Sequence, residues 1–288
     1  MKTVFFLLTA LFFTACQTQN TEETWIDQFI PSTKNKLIEP NGTTIKTRIK
    51  LPEGFERTNE KSGSFSHYLK NLPLKPDQTP VYLHNKKLKK RQDVHAAIID
   101  MSIGKRDLQQ CADAVMRLRA EYLWNEKRFD EISFNFTNGF KAAYQKWRNG
   151  YRIRVNGNHV FWKKATSISN THEDLMDYLT MVFSYAGTIS LNQELEKKDI
   201  NTIAIGDVFI KAGSPGHAMI VVDKAFNSTT NEPIILLAQS YMPAQNIHIV
   251  KNFYDKTISP WYNLEAFNNR IFTPEWNFTK QDLKQFDP

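Results

Sequence analysis

The sequence predicts an α+β protein in which helices precede an antiparallel sheet. The first observation is a helical repeat of apolar residues over 107–129 and again over 171–195. The second is a later series of short apolar runs bounded by Gly, Pro and Asn, which are typical of strands: 206–210, 217–223, 233–241 and 246–250. Because the helices come before the strands, we expect an antiparallel meander rather than a parallel α/β sheet.

The first fifteen residues have the layout of a secretory signal. Lys2 is followed by an apolar run over residues 4–13, and two small residues precede Cys16. The run is too short to span a membrane. The layout resembles a bacterial lipoprotein signal, in which the Cys16 thiol is lipidated and becomes the new N-terminus; the alternative is an ordinary cleaved signal. We therefore expect an exported protein whose lipid anchors it to a bacterial membrane, on the periplasmic or the cell-surface face.

The remaining chain divides into a tether and one domain. Residues 16–40 are polar, contain two prolines and are typical of a spacer. Residues 41–288 show no repeat and no low-complexity break, and their length fits one α+β domain. A hairpin and a long helix over about 125–200 are predicted to be an insertion in that domain.

The early part of the domain is predicted to contain strands and one short helix. Alternating residues over 45–51 indicate a strand, and a short helix follows that stops at Pro73. Residues 81–84 and 94–103 are predicted to form a hairpin, whose second strand is apolar enough to be central.

The middle of the domain has the clearest boundary signals. The helix over 107–129 begins after Asp107, and Thr171 is placed to cap the helix over 171–195. Asn156-Gly157 lies between two alternating segments, which indicates a tight hairpin turn. The aromatic segment after residue 251 is not assigned to an element.

The charge of the chain is mildly basic, at +7. Part of it comes from the run KKLKKR at residues 86–91, which is predicted to be the solvated tip of the hairpin. A basic run can also bind an anionic polymer. Since the signal predicts export, nucleic acid is not expected as a partner, and the membrane is expected to be contacted through the N-terminal lipid. The sequence does not indicate an oligomeric state.

The chain has two cysteines, and lipidation of Cys16 would leave Cys111 without a disulfide partner. Asp107 and Gln110 match a capping pattern, which places Cys111 in the first turn of its helix. The amide dipoles there lower a thiol pKa and favour a nucleophilic thiolate. The alternative is that Cys111 is the first core residue of an apolar helical stripe.

Two further residues could complete a thiol–imidazole site. His217 stands at the start of a strand between two small residues, and Gln239 lies on the next strand, after its apolar run. Such enzymes need an imidazole that reaches the thiol and a polar group that orients the ring. The alternative for His217 is a structural histidine at a strand end.

These phrases resemble the papain-like cysteine peptidases of the NlpC type and their cysteine, histidine-dependent amidohydrolase/peptidase (CHAP) relatives. The matching residues are Gln110-Cys111, Gly206-Asp207-Val208, Gly216-His217 and Gln239. The resemblance implies a papain-like core, in which the nucleophile helix packs on an antiparallel sheet. It implies Cys111 as nucleophile, His217 as general base and Gln239 as orienting residue. Gln110 or a backbone amide near Cys111 would stabilise the oxyanion, and the substrate would be a peptidoglycan or peptide amide.

A second resemblance covers most of the chain. The chain resembles an uncharacterised family of Bacteroidetes-type lipoproteins, for which no function is assigned. The stretches that carry this resemblance are DLQQCADAVMRLRAEYL, FNFTNG, GDVFI with PGHAMIVVD, and AQSYMPAQ.

Two alternatives to the hydrolase remain. One is a non-catalytic lipoprotein that keeps the fold and uses the cleft to bind a peptide or a glycan. The other is a zinc site at Cys111, His217 and His248, but no spacing in the chain resembles a zinc motif. No metal and no cofactor are therefore expected.

Overall fold

The computed structural model describes residues 37–265 and 270–287. The predicted signal, Cys16 and most of the predicted tether lie outside the described residues. Within them, no helix is long and apolar enough to cross a membrane.

The described residues form an α+β structure in which every strand pairing is antiparallel. The helices are α1 (Ile45–Arg48), α2 (Phe65–Lys70), α3 (Cys111–Asn125), α4 (Tyr144–Arg148), α5 (His172–Phe183) and α6 (Thr188–Glu194). The strands are β1 (Phe55–Arg57), β2 (His95–Ile98), β3 (Ser133–Asn135), β4 (Lys141–Ala143), β5 (Tyr151–Asn156), β6 (His159–Lys164), β7 (Glu196–Lys197), β8 (Val208–Lys211), β9 (His217–Asn227), β10 (Pro233–Gln239), β11 (His248–Val250), β12 (Tyr262–Asn263), β13 (Arg270–Phe272), β14 (Asn277–Thr279) and β15 (Leu283–Gln285).

The main sheet has nine strands, with β9 at its centre. Its order is β2-β11-β10-β9-β8-β15-β7, and β1 and β12 add to β9 and β10. The strand β9 is buried on both faces from His217 to Asp223. Within this stretch Ala218, Ile220 and Val222 pack into the larger core with α3, and Met219 and Val221 pack into a second, smaller core. Burial on both faces explains why the β9 sequence is a nearly continuous apolar run.

The segment between α3 and β8 lies mostly outside the main sheet. The hairpins β3–β4 and β5–β6 form separate two-stranded sheets, and only β7 joins the large one. The predicted Asn156-Gly157 turn is confirmed, because β5 and β6 pair directly up to Asn156 and His159 and Gly157 has a φ of 56°. The predicted helix over 171–195 is two helices, α5 and α6, and Thr171 caps the first by accepting from the Asp174 N–H at 3.2 Å.

Three early expectations were wrong. The segment 45–51 contains the helix α1 instead of a strand, because Thr44 and Thr47 form a capping box at its start. The strand β2 is at the edge of the sheet, and its first residues are only half-buried. Residues 81–84 make isolated bridges, among them Tyr82 with Leu88, and do not form a hairpin with β2.

The C-terminal aromatic segment completes the main sheet. The strand β15 pairs with both β8 and β7, and β13 and β14 form a hairpin beside the second core. The turn between β13 and β14 carries Glu275 and Trp276. This segment, which has no clear sequence signal, therefore supplies side chains to the end of the sheet where β9 begins.

Candidate active site

Cys111 is the first residue of α3 and lies against the start of β9. Its side chain is 8% exposed. The backbone N–H of Ala218, directly after His217, faces the sulfur, as do the N–H groups of Cys111 and Ala112 at the helix start. The sulfur therefore lies where the N-terminus of a helix meets the end of the central strand.

The N-cap of α3 differs from the prediction. Gln110 is the N-cap residue, and its backbone N–H donates to Asp113 Oδ2 at 3.0 Å. Asp107 lies further out, where its Oδ1 accepts from the Gln110 side chain at 3.1 Å and from the Ala244 N–H at 2.6 Å. Asp107 thus fastens the helix start to the loop after β10, and Cys111 remains in the first turn as expected.

Cys111 and His217 line the same cavity, which has a volume of about 540 Å³. One wall is the start of α3 and another is the loop between β8 and β9, which includes Gly213 and Gly216. The start of α6 and the side chain of Trp276 complete the walls. The cavity is open to solvent and large enough for several atoms of a ligand next to the thiol.

Aromatic side chains hold the ring of His217. The ring centroids of Tyr241, Trp276 and Phe278 lie 4.9, 5.2 and 6.1 Å from it. His217 is only 2% exposed, and its Nδ1 makes no hydrogen bond to any described residue, including the Cys111 thiol.

The other ring nitrogen of His217 is hydrogen-bonded to Gln239. His217 Nε2 lies 2.7 Å from Gln239 Oε1. Because a carbonyl oxygen can only accept, Nε2 carries the proton, and Nδ1 has the free lone pair. This is the tautomer in which Nδ1 can take a proton from a group in the cavity.

The orientation of the Gln239 amide follows from two other contacts. Gln239 Nε2 lies 2.9 Å from Glu275 Oε2, and a carboxylate oxygen can only accept. Gln239 Nε2 also lies 3.3 Å from His248 Nε2. His248 Nδ1 lies 2.9 Å from the Asn246 carbonyl and donates to it, so His248 Nε2 accepts. Both contacts direct the amide nitrogen away from His217 and its oxygen towards it.

Burial favours the neutral forms of both candidate catalytic groups. It raises the pKa of the Cys111 thiol to about 11, and the three N–H groups around the sulfur offset only part of this effect. It lowers the pKa of His217 to about 4, against the opposing effect of the Gln239 hydrogen bond. At neutral pH the resting site thus holds a thiol and a neutral imidazole.

Gln110 also lines the cavity. One hydrogen of its side-chain amide is donated to Asp107, which leaves the other for a ligand. The neighbouring Gln109 has a different role, since its side-chain oxygen accepts from the buried Arg117 at 2.8 Å. No group of three or more His, Cys, Asp or Glu side chains that could hold a metal ion is found among residues 37–265 and 270–287.

Sequence reasoning missed Lys89 and Glu275, did not assign Trp276 to the site, and considered His248 only as a zinc ligand. His248 had a usable signal, because it lies directly opposite Gln239 in the β10–β11 pair. Lys89 had a misleading signal, since it belongs to the basic run that was expected to be solvated. Its side chain is instead buried and pairs with Glu275 at 2.7 Å.

The fold and the cavity together define an α+β protein in which a thiol at a helix start shares a cavity with a histidine at the start of a central strand. The chain belongs to the family described as domain of unknown function 4846, whose family model matches residues 45–285. This finding confirms the expectation of an uncharacterised family. No curated protein and no solved structure matches the chain.

Proposed function

We propose that the protein is a papain-like cysteine amidase or peptidase with Cys111 as nucleophile, His217 as general base and Gln239 as the residue that orients the base. The observation that carries the proposal is the arrangement of the His217 ring. Its Nε2 donates to Gln239 Oε1, while Nδ1 makes no hydrogen bond in the described structure and belongs to a ring that shares a cavity with the thiol.

The proposed reaction is acyl transfer through a thioester. Because the resting thiol is protonated, its proton passes to His217 Nδ1 as the sulfur attacks the amide carbonyl. The imidazolium then protonates the leaving amine, and water hydrolyses the thioester with His217 again as base. The backbone N–H of Cys111 or the free hydrogen of the Gln110 amide would stabilise the developing oxyanion.

The proposed substrate is an amide in a cell-wall peptide or a related peptide. Gly187 lines the cavity and has open space where a side chain would be, so a substrate backbone can approach closely there. The predicted lipid anchor at Cys16 would place the site at a bacterial membrane, on the periplasmic or the cell-surface face. The site and the anchor are independent parts of the proposal.

The reactivity of Cys111 tests the catalytic pair without knowledge of the substrate. In Cys16→Ser protein, Cys111 is the only thiol. We expect its alkylation by iodoacetamide at pH 7 to be about 10²-fold faster than in the same protein with His217→Gln, because the imidazole takes the thiol proton. His95→Gln is the matched control, since His95 is a half-buried histidine on β2 outside the cavity.

Turnover is then measured on purified peptidoglycan and its soluble peptides by mass spectrometry. We expect release of new amine termini by the wild type and none by Cys111→Ala, with both proteins folded by circular dichroism. Equal alkylation of the wild type and His217→Gln, together with no turnover, would refute the hydrolase. Binding of the same peptides by both Cys111→Ala and wild type would then identify a binding lipoprotein.

A further inference from the structure

The buried ion pair between Lys89 and Glu275 lies behind the proposed site. The side chains are 7% and 11% exposed, and Lys89 Nζ lies 2.7 Å from Glu275 Oε1. Lys89 Nζ also lies 5.1 Å from the centroid of the Tyr241 ring, which packs on His217. Removing two charges from water is costly, and such pairs often stabilise a fold no better than apolar residues would. The pair therefore calls for an explanation other than stability.

Each oxygen of Glu275 has a separate partner. Oε1 accepts from Lys89, and Oε2 accepts from Gln239 Nε2 at 2.9 Å. Since Gln239 Oε1 in turn accepts from His217, the four side chains form one hydrogen-bonded series from Lys89 to the imidazole. The lysine occupies one carboxylate oxygen and so leaves the other to hold the amide nitrogen of Gln239.

We infer that Lys89 and Glu275 are positioning residues, which fix the amide of Gln239 and thereby hold His217 in the tautomer with its proton on Nε2. The inference rests on the proposed function for its catalytic consequence, although the tautomer can be measured independently. Neither residue lines the cavity, so neither contacts the substrate.

Glutamine alone does not hold the imidazole in one state. A glutamine amide can rotate by half a turn, which would present its N–H₂ group to His217 and favour a proton on Nδ1. His248 Nε2 opposes this rotation through a single contact of 3.3 Å to the Gln239 nitrogen. Glu275 opposes it more strongly, because its hydrogen bond is shorter and its acceptor is charged.

Two uncharged double variants separate positioning from charge. Lys89→Met/Glu275→Gln keeps an acceptor oxygen for Gln239, and Lys89→Met/Glu275→Met removes it. Both lack the buried charges, so neither leaves an unpaired one that would prevent folding. The surface variant Glu131→Gln, which breaks an exposed pair with Arg128, is the control for loss of a glutamate.

The first readout is the ring nitrogen chemical shifts of His217 in ¹⁵N NMR spectra. We expect a single Nε2–H tautomer in the wild type, in Glu131→Gln and in Lys89→Met/Glu275→Gln. In Lys89→Met/Glu275→Met we expect a population with the proton on Nδ1. An unchanged tautomer in this last variant would overturn the inference.

The second readout is the alkylation rate of Cys111 in the Cys16→Ser background. We expect the methionine double variant to react at least about tenfold more slowly than the glutamine double variant, since a displaced base loses much of its effect. Equal loss in both would show that the pair acts through its charge and would also overturn the inference. A tautomer change without any His217-dependent alkylation would instead refute the hydrolase and leave the positioning role in place.

Discussion

At the scale of single residues, several buried carboxyl groups in this protein are held away from their ordinary pKa. Burial raises the pKa of Asp113 and Asp207 despite their hydrogen bonds. Glu194, at the end of α6, is the case with the simplest surroundings. Its Oε1 accepts from the Asn135 N–H at 2.7 Å. Burial raises the pKa of Glu194 to about 7, against the weaker opposing effects of this hydrogen bond and of Lys141.

Replacement of Glu194 by Gln should stabilise the protein relative to the wild type, and this gain in stability should be larger at neutral pH than at acid pH. The folded-state pKa is above the ordinary value of 4.5, so the contribution of Glu194 is present below that value and is lost as the pH rises to about 7. Gln keeps the acceptor for Asn135 without the charge. We expect the difference in the free energy of unfolding between Glu194→Gln and the wild type, measured by urea unfolding, to be about 2 kcal/mol more favourable to the variant at pH 8 than at pH 4.5.

The control for this measurement is Glu131→Gln, because Glu131 is exposed and the guanidinium of Arg128 lowers its pKa. Its effect should have the opposite sign, with a small loss at neutral pH. An advantage of Glu194→Gln that is the same at pH 4.5 and pH 8 would contradict the assigned ionisation.

At the scale of elements, the loop between β8 and β9 sets the position of His217. Gly216 is the last residue of this loop, and a Cβ atom on it would be 2.6 Å from the Gly213 oxygen and 2.8 Å from the Lys211 oxygen. The added atom would also overlap Thr188 Oγ1. The backbone oxygens cannot move without opening the loop. The glycine before the histidine is therefore required by packing of the loop against the start of α6.

Gly216→Ala should open this loop and displace His217. We expect a loss of about 2 kcal/mol in the free energy of unfolding. We also expect that the alkylation rate of Cys111 no longer changes when His217 is replaced. Gly187→Ala is the matched control on the same cavity, because a Cβ there meets nothing within 4 Å and its φ of 178° is open to any residue. Equal stability and equal alkylation in the two variants would show that the loop tolerates the added carbon.

At the scale of the whole molecule, distant parts of the chain meet in one sheet. The strand β1 adds to one side of β9, and β15 pairs with β8 next to it. The predicted anchor lies before this body, with a polar spacer between Cys16 and the first described residue, Leu37. We propose that a lipid on Cys16 attaches the domain to a membrane through this spacer.

Lipid attachment should depend on Cys16 and leave the domain unchanged. In bacteria fed labelled palmitate, we expect label on the wild-type protein and none on Cys16→Ser. The two proteins should unfold at the same temperature, because Cys16 precedes the predicted domain. Label on Cys16→Ser, or its absence from both, would exclude the lipoprotein signal.

Local patterns predicted the elements that carry the candidate triad, because apolar periodicity and turn residues mark α3, β9 and β10 clearly. Thus Cys111, His217 and Gln239 could be selected before the structure, and the Asn156-Gly157 turn could be placed. The same patterns failed for residues 45–51, where two threonines form a capping box within an alternating segment.

The second half of the site could not be predicted, because it depends on contacts between distant segments. Lys89 lies in a basic run and Glu275 in an aromatic tail, and neither segment carries a pattern that points to the other. Their pairing is decided by the position of β13 and β14 beside the sheet. Burial of a lysine depends on tertiary contacts and cannot be predicted from the residues next to it in the sequence.

The late position of Glu275 and Trp276 in the chain has a consequence for biosynthesis. A chain made from its N-terminus carries Cys111, His217 and Gln239 well before the residues that orient and enclose the imidazole. Until Glu275 and Trp276 have been added, Gln239 lacks its charged partner and Trp276 does not cover the ring. The nascent protein therefore holds an incomplete form of the proposed site until both residues are made.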